Sequence, residues 1–164
     1  MPELKRRAAA DDNGPMRPSS LLSVGAVVCA ALMLVSCGGV PTVASQNARF
    51  RSALKLYARG QSVFTGELLR GLSHLDLRSA CGAAEQMRRQ TVAFNTTVGS
   101  LRLPSAAVSD RNALVLADQA QATDLARAAT ADSLGEVVLA IGHWAKDGGP
   151  QLSAAIRLRQ DLKS

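Results

Sequence analysis

The sequence predicts an all-α protein: an up-down four-helix bundle with a bent or broken last helix, set behind an N-terminal apolar run and a short tether. Three observations carry that expectation. Apolar residues recur at three- and four-residue steps through four successive segments, which places them on one helical face. No stretch sustains the apolar–polar alternation of a strand. The connections are short and marked by Pro, Gly or capping residues, so consecutive helices turn back on one another.

The first element is Leu21 to Cys37, LLSVGAVVCAALMLVSC. Lys5, Arg6, Arg7 and Arg17 precede it, and positive charge there favours a cytoplasmic N-terminus. Its apolar core of about 15 residues makes a helix of about 22 Å, short of the ~30 Å of bilayer hydrocarbon. That length, with small residues Ser36 and Gly38 around the expected cut, reads as a secretory signal peptide. Leu34-Val35-Ser36-Cys37 resembles the lipobox of bacterial lipoproteins. The excess of Arg over Lys and the abundance of Ala are similar to actinobacterial members of that group. The resemblance implies a diacylglycerol on the Cys37 thiol, cleavage between Ser36 and Cys37, and a lipid anchor on the extracytoplasmic face of the cell membrane. It covers the signal alone, so it implies an address and no activity. The residues themselves leave two other readings open. Ser19 to Ala48 carries no charge, which admits an uncleaved membrane helix, and ordinary secretion fits the same run.

The expected organisation is therefore a signal peptide over 1–36, a lipidated N-terminus and tether over 37–47, and a helical domain over 48–164. Gly38, Gly39, Pro41, Thr42, Ser45 and Asn47 give the tether no apolar face. In the first helix Phe50, Leu54, Tyr57, Phe64, Leu68 and Leu75 form the stripe, with Gln61 and Gly71 in its gaps. Gly60, Gly66 and Gly71 imply a kink or a close neighbour. Ser73 to Asp76 reads as a turn, with Asp76 capping the second helix. That helix carries the most continuous stripe, from Leu77 through Ala80, Cys81, Ala84, Met87, Thr91, Phe94 and Val98 to Leu101, and Pro104 closes it. Ser105 or Ser109 is expected to cap the third helix, whose face is Val108, Val115, Ala122, Leu125 and Ala129, with Asp110, Asp118 and Asp124 toward solvent. Ser133-Leu134-Gly135-Glu136 has capping-box spacing. Leu134, Val137, Val138, Ile141 and Ala145 follow on one face. Asp147-Gly148-Gly149-Pro150 is expected to break the helix before Leu152, Ile156 and Leu162 complete it.

Fifteen basic and ten acidic residues follow Ser36, a formal +5. Outside a cell such a balance suits anionic lipid headgroups or wall polymers better than nucleic acid, and an ordinary solvated basic surface is the simpler reading of it. Few aromatics are present for stacking on bases or sugars. With Cys37 as a thioether, Cys81 is the sole remaining thiol and no disulfide is expected. Neither His74 nor His143 has a Glu three residues before it, so the di-metal signature of helical bundles is missing and no metal or cofactor is expected. Arg88-Arg89 beside Arg78 is a basic cluster suited either to an acidic partner or to a plain solvated face. No catalytic constellation is spelled out, and the expectation is a non-enzymatic lipoprotein binding a protein or cell-envelope partner. The alternative is a carrier of an apolar ligand or lipid between helices.

Met16-Arg17-Pro18 and the apolar run make a compact signal by themselves, so the residues leave two starts open, Met1 and Met16, and the hypothesis to test is a start at Met16. Peptide mapping of the cellular precursor should then find no fragment from Pro2 to Pro15; detecting one would exclude that start.

Overall fold

In a computed structural model the described residues are 41–163, and they form four α-helices. These are α1 (Val43–Ser73), α2 (Leu77–Gly99), α3 (Ser105–Ala129) and α4 (Leu134–Asp161). Among the described residues there is no strand. Each helix runs antiparallel to the next. The start of α1 meets the end of α4 where Asn47 Nδ2 donates to the Leu162 carbonyl at 3.1 Å. Arg49 reaches Ser100 at the end of α2. Arg157 of α4 pairs with Asp110 early in α3 at 2.8 Å. The fold is thus an all-α, up-down four-helix bundle.

The first helix begins earlier than the tether boundary at residue 47. The Thr42 hydroxyl accepts from the Ser45 amide at 3.2 Å, and the Ser45 hydroxyl donates back to the Thr42 carbonyl at 2.8 Å. Two such bonds satisfy a helix start, so residues 43–47 are helical and Gln46 is already buried. Asp76 caps α2 as expected, accepting from the Ser79 amide at 3.1 Å and its hydroxyl at 2.6 Å. Leu75 does not continue the apolar stripe. It occupies the left-handed region at φ 53 and is 79% exposed, because the chain reverses there and Asp76 N–H donates to the Gly71 carbonyl.

Neither Ser105 nor Ser109 caps α3. Pro104 holds the cap position and makes no side-chain cap bond; its extended ψ turns the chain into the helix. The buried face of α3 is also rotated from the expected one. Ala107, Leu114, Asp118, Gln121, Leu125 and Ala128 are buried, whereas Val108 and Val115 are only partly so. Asp118 is 0% and Asp124 6% exposed, against the expectation that both face solvent. Ser133 caps α4 through the Glu136 amide, but the Glu136 carboxylate reaches Asp132 N–H, one residue further back than a capping box.

The fourth helix is not broken at Asp147–Pro150. It runs continuously from Leu134 to Asp161 with Pro150 inside. Proline forfeits one backbone bond, but Pro150 faces solvent while the residues on either side lock to α3. Gln121 Nε2 donates to the Trp144 carbonyl and Gln151 Nε2 donates to Asp118. Those contacts override the local tendency to stop. They also rotate the helix, so that Gln151, Ala154, Ala155 and Leu158 are buried while Val138, Leu152 and Ile156 face outward.

Much of the core is alanine: Ala80, Ala83, Ala84, Ala107, Ala128 and Ala154 are at most 4% exposed. The bulk comes from Met87, from leucines such as Leu101, Leu114, Leu125 and Leu158, and from rings. Phe94 stacks on Tyr57 with centroids 4.8 Å apart and lies 6.5 Å from Phe50, while Phe64 meets Trp144 edge-on at 5.2 Å. Gly71 explains the close approach of α1 to α2, since a Cβ there would lie 2.8 Å from the Ala80 backbone nitrogen. Gly66 has nothing within 4 Å of the same position.

These two glycines should respond oppositely to alanine in thermal or urea unfolding. Gly71→Ala should lose about 2 kcal/mol through overpacking against backbone. Gly66→Ala should gain up to about 1 kcal/mol from helix propensity.

Candidate functional site

The helices bring together a polar layer that no local motif announces. Tyr57 of α1 donates through its hydroxyl to Gln121 Oε1 of α3 at 2.9 Å. Gln121 in turn donates to the Trp144 carbonyl of α4 at 3.4 Å. Gln151 of α4 donates to Asp118 Oδ1 of α3 at 2.5 Å. Thr91 of α2 is also fully buried and returns its hydroxyl to the Met87 carbonyl at 3.0 Å. Asp118 Oδ2 is buried with no hydrogen-bond partner.

Burial decides the protonation of this layer. It raises the Asp118 carboxyl to about 7, against the lesser pull of the Gln151 hydrogen bond in the other direction. Burial likewise pushes the Tyr57 phenol above its ordinary value, and the Asp118 carboxylate adds to that rise. Asp118 and Asp124 do not act as a pair, because Asp124 bonds Arg127 at 3.2 Å. The chemistry available here is proton uptake by one acid inside a hydrogen-bonded layer.

Two grooves flank α1. One, of about 300 Å³, lies between α1 and α4; Tyr57, Phe94, Leu114 and Gln151 line it, with Leu152 among its exposed wall residues. The other, of about 430 Å³, lies between α1 and α2. Its apolar wall includes Leu56 and Val63, which are 63% and 52% exposed, and Arg59 and Gln86 supply polar groups. Neither groove is closed, whereas a carrier reading expects an enclosed space.

Of the candidate site residues singled out in the sequence, Cys81, Arg88, Arg89, His74 and His143 are not among those lining either groove. Ser36 and Cys37, with the whole of Leu21 to Cys37, lie outside the described residues. Cys81 is half-buried and its thiol points to the Ala131 carbonyl at 3.7 Å. Arg88 and Arg89 converge on Glu85 at 2.6 and 2.8 Å, so the basic cluster carries its own counter-charge. Hydrogen bonds from those arginines hold the Glu85 carboxyl down at about 2. His74 closes α1 at its C-cap. Among the described residues no group of His, Cys, Asp and Glu is placed to hold a metal ion, and no helix is long and apolar enough to cross a membrane. Comparison with protein-family models, curated proteins and solved structures returns no match.

Charge alone places Asp118 toward solvent in the sequence, and Gln121 and Gln151 fall outside the apolar faces expected there. Yet Leu114, Asp118, Gln121, Leu125 and Ala128 keep the three- and four-residue step without interruption. Spacing, read without regard to polarity, would have found the face.

Asp118 makes stability depend on pH. Its folded pKa of about 7 exceeds the ordinary 3.8, so the folded state holds an extra proton between those values. Stability is complete below about pH 4 and is lost as pH rises through about 7. Urea unfolding across that window should show a fall of a few kcal/mol. Asp118→Asn should flatten it; an unchanged slope in the variant would assign the effect to other groups.

Proposed function

We propose that this chain is a lipid-anchored, non-enzymatic helical module, held by Cys37 on the extracytoplasmic face of the cell membrane, where it binds a protein or cell-envelope partner. The observation that carries this reading is Leu34-Val35-Ser36-Cys37 at the end of a signal-like run, followed within a few residues by a bundle that holds its own core. A lipid on Cys37 needs nothing from the bundle, so the bundle is free to be the displayed part. The α1–α2 groove supports the binding half of the reading. Leu56, Val63 and Val92 are exposed large apolar side chains on the two helices that form it, and clustered apolar exposure beside polar groups suits a partner. The grooves open to solvent favour a partner surface over the alternative, a carrier enclosing an apolar ligand.

Mass spectrometry of the native N-terminus should find Cys37 as the first residue, carrying diacylglycerol. Cys37→Ser should leave the precursor uncut. An unmodified Cys37 in membrane-associated protein would overturn the anchor. Leu56→Glu with Val63→Glu should abolish crosslinking to the envelope partner in cells and leave the helical content unchanged.

A further inference from the structure

The basic charge of the bundle is not spread evenly along its axis. Take the third of the bundle where the chain enters: residues 41–53, the α2–α3 connection with its flanks at 92–113, and residues 153–163. Three contacts tie these segments into one end: Asn47 to the Leu162 carbonyl, Gln46 to the Arg102 amide, and Arg157 to Asp110. This end holds seven basic residues against two acidic ones, a formal +5. The opposite third, residues 64–84 and 122–143, holds three basic against five acidic, a formal −2. The end that carries Thr42 therefore holds a charge equal to the whole excess of the domain.

Arg49, Arg51, Arg102, Arg159 and Lys163 of that end are exposed. Arg157 spends its charge on Asp110, and Arg111 is turned to the Leu101 carbonyl and Asn112. Five cations thus face outward at one end of a bundle whose first helix, of 31 residues, is about 46 Å long.

We infer that this basic end is a docking surface for anionic phospholipid headgroups, which seats the bundle upright on the membrane. The orientation rests on the lipid-anchor reading of Cys37. Five residues separate Cys37 from Val43, and an extended chain of that length reaches at most about 18 Å. The basic end can therefore touch the headgroups. The acidic end lies several screening lengths away, since charge is damped over about 8 Å at physiological salt. The two chains of a diacylglycerol already hold the protein to the bilayer, so the basic patch sets its orientation rather than its retention. The same arrangement turns the α1–α2 groove sideways, clear of the bilayer and open to a partner.

The test uses residues 38–164, which include the compact unit Val40–Ser164 and its whole core. This unlipidated protein should sediment with phosphatidylcholine vesicles containing one-third phosphatidylglycerol, should do so less at high salt, and should ignore pure phosphatidylcholine. Replacing Arg49, Arg51, Arg102 and Arg159 by Gln should lower the partition by about two orders of magnitude. Replacing Arg59, Arg70, Arg78 and Lys146 by Gln removes the same charge elsewhere and should change it only a few-fold. Circular dichroism checks that both variants fold. Equal losses in the two variants, binding to neutral vesicles, or tighter binding to a soluble acidic polymer than to the vesicles would each overturn the inference. Failure here leaves the lipid on Cys37 untouched, because that is read separately from the mass of the native N-terminus.

Discussion

Alanine at the helix contacts is the constraint on which the rest of this bundle depends. A core of small side chains buries little area per residue, so the helices gain stabilisation only by coming close. Gly71 against the Ala80 backbone is one close point of that approach. Close packing of α1 on α2, α2 on α3 and α3 on α4 leaves the larger side chains to fill what remains. Phe50, Tyr57, Phe64, Phe94 and Trp144 do this, and around α1 they do not fill it completely. The two grooves are the result.

The polar layer follows from the same geometry. Asp118 and Gln121 are buried where α3 and α4 pack, and Gln151 borders the α1–α4 groove beside them. Their hydrogen bonds with Tyr57 and with the Trp144 carbonyl tie three helices together at one level. Satisfied buried polar groups specify a register more sharply than alanine does, because a shift by one residue would strand them. Asp118 is the weak member, with one oxygen unpartnered. Burial meets that cost by keeping the acid protonated nearer to neutrality, which links the register of the bundle to pH.

Charge is organised on a larger scale. Ion pairs such as Glu85 with Arg88 and Arg89 settle charge locally along the sides of the helices. The excess of cations collects at the end of the bundle that carries Thr42. A bundle so polarised has a preferred way up beside an anionic surface, and its apolar groove then lies along its flank.

The sequence alone determined the number and type of elements, the stripes of α1 and α2, the Asp76 and Ser133 caps, and the lipobox resemblance at Cys37. These rest on interactions within a few residues, where spacing and capping chemistry are explicit. Tertiary structure decided the rest. It turned α3 so that Asp118 went inside, carried α4 through Pro150, and put Leu152 and Ile156 out. In each case packing between distant segments outweighed a local preference. Alanine-rich faces carry little directional signal, so which side of α3 and α4 turned inward was set by what α1 and α2 offered for them to pack against.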